Sequence, residues 1–178
     1  QKVGLKVWNV EELTTHGGSL RVYGCHDDDS RKVSPRVERM LVSEINDGLQ
    51  QLSTYQSFQA RANRVKDDLL SFLVDQKRLN KTVVAYGAAA KGITFLNYLK
   101  ISRDDIKYVY DASKFKINKF LPSSHIPICD PKNLTKTKPN YILILPWNIQ
   151  KEIRSELKFT KLWNCKFLTF IPRVKVFK

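Results

Sequence analysis

The spacing of hydrophobic positions changes along this chain, and each change marks a different kind of element. Residues 4–10 ("GLKVWNV") and 19–25 ("SLRVYGC") read as strands, the second alternating Leu20, Val22 and Gly24 against Arg21, Tyr23 and Cys25. Between them, "EELTTHGGS" supplies polar and glycine turn residues, so the two strands are expected as neighbours in one sheet. The charged stretch "HDDDSRKVSPRVE" then leads to Ser34 and Pro35, a good N-cap followed by a good first helical position. From Pro35 to about Leu79 the period becomes helical, with Val37, Met40, Leu41 and Ile45, then Phe58, Val65, Leu69, Phe72 and Leu73. Gly48 and the "STY" step near Thr54 are the places where this run can break into two helices.

Beyond Lys81, short apolar runs alternate with helical segments. Strands are expected at residues 82–86, 106–110, 141–145 and 166–171, with a short one at 126–129, and helices at 89–99 and 149–157. Strands that are apolar throughout and alternate with helices predict an α/β fold, a Rossmann-like parallel sheet with helices on both faces. The expected organisation is a strand pair over residues 1–33, a helical bridge over 34–80 and the sheet domain over 81–178.

Length and composition narrow the class. The chain has 178 residues, 42% of them hydrophobic and 27% charged, enough for one full domain with an appended piece. There is neither an apolar run of membrane-spanning length nor the apolar core of a signal peptide, which leads us to expect a soluble cytoplasmic protein with no membrane partner. The formal charge of +14 invites a nucleic-acid reading, but the lysines are scattered over the whole length, as on a solvated surface. Nucleic acid is therefore not the expected main partner. The three cysteines, Cys25, Cys129 and Cys165, are odd in number and far apart, as reduced thiols would be; with no CxxC or HxxxH spacing, no metal site is expected.

Candidate chemistry concentrates after the first strand of the sheet domain. In "GAAAKG", Gly87, Ala89 and Gly92 take the three positions of a GxGxxG fingerprint with the middle glycine replaced, and Ala88, Ala90 and Lys91 complete the turn. The middle glycine normally lets backbone approach a pyrophosphate, so the Cβ of Ala89 should push a diphosphate outward. The helix that starts here still offers N–H groups and a positive dipole end to an anion, and Lys91 adds a charge. The same small residues also serve close helix-on-sheet packing. Asp111 ends the next strand, where an acidic residue accepts a ribose hydroxyl in doubly wound folds; a turn cap is the other reading. Trp147 and Asn148 follow a strand in "LILPWN", fit to form an aromatic wall and a hydrogen-bonding group, or a core plug and an N-cap. The loop "DASKFKINKFLPSSHIPI" carries Lys114, Lys116, Lys119 and His125, and "THGGS" carries His16, either a candidate base or a turn residue. No serine or carboxylate is spaced as a triad partner, so no catalytic residue is assigned.

Taken together, "VWNVEELTTHGGSLRVYGCH", "VVAYGAAAKGITFLNYL", "YVYDASKFKINKFLPSSHIPI" and "YILILPWNI" resemble, in order and over nearly the whole chain, the C-terminal portion of SAM-dependent nucleotide-sugar C-methyltransferases. The resemblance implies a Rossmann-like domain that helps to hold a nucleotide-linked sugar such as a dTDP-sugar. It also implies that the two N-terminal strands close the sheet of a SAM-binding domain that lies upstream. SAM, zinc and the catalytic base would then be bound or supplied outside this chain, which alone should not methylate. The family commonly has glycine at the positions of Asn118 and Ser123; asparagine tolerates positive φ, serine less readily. Ile93 replaces a commonly polar residue and Lys114 a common proline. Two other classes stay in view, an NAD-binding oxidoreductase domain using the same corner and a basic RNA-binding module.

Overall fold

A computed structural model describes residues 3–177. The chain forms two compact units, Gln1–Ala60 and Arg61–Lys178, and the long helical run is divided between them.

In the first unit, β1 (Leu5–Leu13) and β2 (Ser19–His26) pair antiparallel from Leu5↔His26 to Leu13↔Ser19, with a bulge between Val7 and Asn9. β1 runs three residues past its expected end. Glu11 is held in the strand because its carboxylate accepts hydrogen bonds across the pair from Tyr23 Oη at 3.0 Å and Arg21 Nη1 at 3.2 Å. The reversal is thereby confined to residues 14–18, where Gly17 and Gly18 take positive φ. α1 (Pro35–Asn46) starts as expected, Ser34 Oγ accepting from Arg36 N–H at 3.3 Å. It ends where Gly48 turns left-handed at φ 73°, and a second break at Ser57 separates α2 (Leu52–Gln56) from α3 (Phe58–Arg78). Among the described residues, Val10 is the one buried hydrophobic side chain of this unit, whereas Leu5, Val7, Leu20, Val22, Leu41 and Ile45 are exposed.

The second unit holds β3 (Val83–Tyr86), α4 (Ala90–Tyr98), β4 (Val109–Tyr110), β5 (Ile128–Cys129), α5 (Leu134–Thr137), β6 (Tyr141–Ile144), α6 (Gln150–Glu156), β7 (Lys166–Thr169) and β8 (Lys175–Phe177). The strand order is β5-β4-β3-β6-β7-β8, parallel except for β8. Two expectations are corrected. Ile106 is buried but unpaired, so the second strand shrinks to two residues, and the last one stops at Thr169 before β8 returns antiparallel along the edge. β8 is at the sheet edge, with Lys175 and Val176 exposed and Phe177 partly buried.

Alternation along the buried strands sorts their side chains onto two faces. Val83, Ala85, Leu143 and Leu168 pack with Leu69 and Leu73 of α3 and Leu96 and Leu99 at α4. Val84, Tyr86, Ile142, Ile144 and Phe167 pack with Leu134 of α5 and Ile153 and Leu157 at α6. Helices therefore cover both faces, the arrangement expected from strands without a polar side.

The connection from β3 to α4 has no room to spare. A Cβ on Gly92 would stand 2.5 Å from Leu145 Cβ, and one on Gly87, whose φ is 86°, would stand 2.5 Å from Pro146 Cδ. The loop after β4 doubles back as a hairpin, Asn118 N–H donating to Ile128 O at 2.9 Å and Leu121 N–H to Ile126 O at 2.9 Å. Asn118 and Ser123 both take φ 64°, so the left-handed turns are kept without glycine.

Helix propensity alone would make Gly92→Ala stabilising by about 1 kcal/mol. Against the rigid Leu145 backbone, overpacking outweighs that gain, and a net loss of about 1–2 kcal/mol is expected by urea denaturation. Ser123→Gly relieves a left-handed serine and is expected to gain about 0.5 kcal/mol after the entropy cost of glycine. Burial pushes the Cys165 thiol up from 9.0 to about 12 and, with the charge of Glu156 adding to burial, the Tyr86 phenol up from 10.0 to about 12. Both groups ionise more easily unfolded than folded, so their contribution is complete below pH 9 and lost as pH rises toward 12. Circular dichroism should show stability falling from about pH 9 upward, and less steeply for Cys165→Ala between pH 9 and 10.

Candidate functional site

The site is built on the end of β3. Gly87 N–H donates to Tyr110 O at 2.7 Å, which aligns the end of β3 with that of β4. The next residue, Ala88, is buried, and its N–H reaches Asp111 Oδ2 at 2.7 Å. Ala89 then takes the N-cap position of α4 in an extended conformation, φ −92° and ψ 143°, with no side-chain cap. The first helical hydrogen bond runs from Ile93 N–H to Ala89 O at 3.0 Å. The helix itself therefore does not use the N–H groups of Ala90, Lys91 and Gly92, and the positive end of its dipole coincides with them. Ala90 and Lys91 are exposed and Gly92 is packed on Leu145.

Asp111 is buried, and both of its carboxylate oxygens are engaged. Oδ1 accepts from Ser113 N–H at 2.8 Å, and Oδ2 accepts from Ala88 N–H and from Lys116 Nζ at 3.2 Å. Lys116 Nζ also donates to Ala88 O at 2.9 Å. Ala88, Asp111 and Lys116 thus form a closed circuit that fixes the turn after β3 to the loop after β4. Asp111 acts in this structure as the turn-locking residue of its two sequence readings. Lys116 was not singled out among the loop lysines, because its role depends on a carboxylate and a carbonyl brought together only by the parallel pairing of β3 and β4. The one sequence signal is its place five residues after Asp111 in a turn-rich loop.

The opposite wall comes from β6. Pro146 stands against Gly87, and Trp147 begins a short 3-10 turn, Trp147–Ile149. The half-buried Trp147 ring meets Phe170 edge-on at 5.3 Å, and Phe170 stacks on Phe95 of α4 at 4.5 Å. Lys91 Nζ lies 5.4 Å from the Trp147 ring centroid, a cation–π distance. Asn148 is exposed and does not cap α6, whose N-cap is Ile149.

The structure therefore gathers Gly87, Ala88, Ala89, Ala90, Lys91, Gly92, Asp111 and Trp147 at one end of the sheet and adds Lys116 and Pro146. Lys119 and His125 lie farther along the loop, with exposed side chains. The Lys119 carbonyl accepts from Ile128 N–H, and the His125 N–H closes the hairpin tip onto Leu121 O at φ 52°. His16 belongs to the other unit, at the reversal between β1 and β2, exposed and at φ 57°. Among the described residues, no three His, Cys, Asp or Glu side chains gather as a metal site, and no helix is long and apolar enough to cross a membrane.

The C-methyltransferase NovU of Streptomyces niveus is 32% identical over 173 residues, 97% of this chain and 41% of the relative. The chain thus spans about two fifths of the length of that curated relative. Among solved structures, UDP-D-quinovosamine 4-dehydrogenase from Vibrio fischeri is similar over 55% of this chain and 93% of that one, at 19% identity and a TM-score of 0.42. The model of the C-methyltransferase C-terminal domain matches residues 14–172, and the chain belongs to that family.

Proposed function

We propose that this chain is the substrate-holding part of a SAM-dependent C-methyltransferase acting on a nucleotide-linked sugar, with the β3–α4 corner as its phosphate anchor. The observation that carries this reading is the start of α4, where Ala89 supplies no side-chain cap, set in small residues and flanked by Lys91. Backbone N–H groups, a helix dipole and the Lys91 ammonium at one turn suit a diphosphate. The contribution to catalysis is positional: holding the substrate's phosphates fixes the sugar for chemistry carried out elsewhere in the enzyme.

The residues of this chain do not fit SAM or a dinucleotide. Such a ligand lies across the crevice where the strand order reverses, here between β3 and β6. Pro146 stands against Gly87 there, and Asp111, where a ribose acceptor would stand, has both oxygens engaged. On this reading SAM and the catalytic base belong to a domain upstream, and the isolated chain does not methylate. The exposed apolar side chains of the β1–β2 pair support the same reading, because a two-stranded sheet with one buried hydrophobic residue among the described ones is marginal by itself. It fits as the edge of a larger sheet.

Calorimetric titration of the chain with a dTDP-sugar, SAM, NAD and a short RNA tests the proposal. Saturable binding of the dTDP-sugar alone is expected; saturable binding of SAM or NAD without it would sink the reading. Lys91→Ala is expected to weaken the dTDP-sugar by about tenfold through loss of one charge-assisted contact, and an unchanged affinity removes Lys91 from the site.

A further inference from the structure

In the second unit the exposed aromatic rings are unevenly placed. Among the described residues of that unit they are Phe115, 86% exposed, Phe120, 60%, and Tyr98, 41%, and the two most exposed share the segment "KFKINKF". A solvent-exposed phenyl ring is unfavourable in the free protein, so two of them interleaved with three lysines point to contact with a planar or anionic partner. The segment is firmly built. Lys116 and Ile117 N–H both donate to Ser113 O, Lys119 N–H donates to Lys116 O, and residues 118–121 pair with 126–128. Phe115 directly precedes Lys116, whose ammonium is fixed on Ala88 O. The loop that carries the ring is thereby tied to the turn that leads into α4.

We propose that Phe115 is the nucleobase platform of the corner, its ring stacking on the base of a nucleoside diphosphate whose phosphates lie at the β3–α4 turn. The inference rests on the phosphate-anchor reading and adds the recognition of the base to it. Stacking on a phenyl ring tolerates any base, so Phe115 supplies affinity for nucleotides as a class and leaves the choice of base to other groups. Phe120, on the pairing segment of the same loop, is the less exposed of the two and is not required.

The experiment is a calorimetric titration of the full chain with dTDP and, as the probe without a base, inorganic pyrophosphate. The chain is expected to bind dTDP about tenfold or more tightly than pyrophosphate. Phe115→Ala should remove that advantage and leave the pyrophosphate affinity and the melting temperature unchanged, as befits an exposed side chain. In Phe115→Trp, dTDP but not pyrophosphate should quench the added fluorescence. If Phe115→Ala binds dTDP as tightly as the parent, the platform assignment is overturned. It is also overturned if Phe115→Ala loses both ligands, which would mark a structural role, or dissociates a self-associated chain while dTDP binding persists, which would mark a protein interface. If the parent binds pyrophosphate with no preference for dTDP, the anchor stands and the platform falls; if it binds neither, both fall.

Discussion

The second unit depends on the absence of side chains at two points, Gly87 and Gly92, where the start of α4 is pressed onto the end of β6. Leu145 and Pro146 occupy the space that Cβ atoms would need, so α4 lies closer to the sheet than any larger residue would permit. This proximity buries Leu96 and Leu99 in the same cluster as Leu143 and Leu168. It also brings the N-terminal end of the helix to the carboxyl end of the strands, where ligands of open α/β sheets bind. The same contact sets Pro146 against Gly87 at the point where the strand order reverses.

Electrostatics completes the corner. The Ala88 N–H and carbonyl would both be awkward in a tight buried turn, and Asp111 and Lys116 satisfy one each while neutralising one another. The ion pair itself is worth little, because the lysine side chain is 43% exposed and solvent screens it. Its value lies in geometry. It joins two loops that are 28 residues apart at Lys116 and Ala88, so the shape of the turn into α4 and the position of the aromatic loop are set together.

Much of this was legible from residue order. Short runs such as "VVAY" and "YILI" are apolar on every position, which a strand covered on both faces requires, and the helical period between them requires parallel crossovers. Ser34–Pro35 marked the start of α1, and "GAAAKG" marked the corner, because capping and close packing are local and each leaves a residue-type signature. The β1 boundary was missed because Glu11 reads as a turn residue until Tyr23 and Arg21 are placed across from it. β8 was missed because a short edge strand is identified by its partner, not its composition.

The sequence by itself therefore determined the class of fold, the position of the corner and the residue types available to it. Those depend on periodicity and steric size, which are properties of neighbours along the chain. Only the tertiary structure decided what the charged and aromatic residues do there. Asp111 locks a turn, Lys116 spans to Ala88, Lys91 lies over Trp147, and Pro146 stands against Gly87. Each of these roles depends on a distance of a few ångströms between residues far apart in the chain, and such distances exist only once the strands have paired.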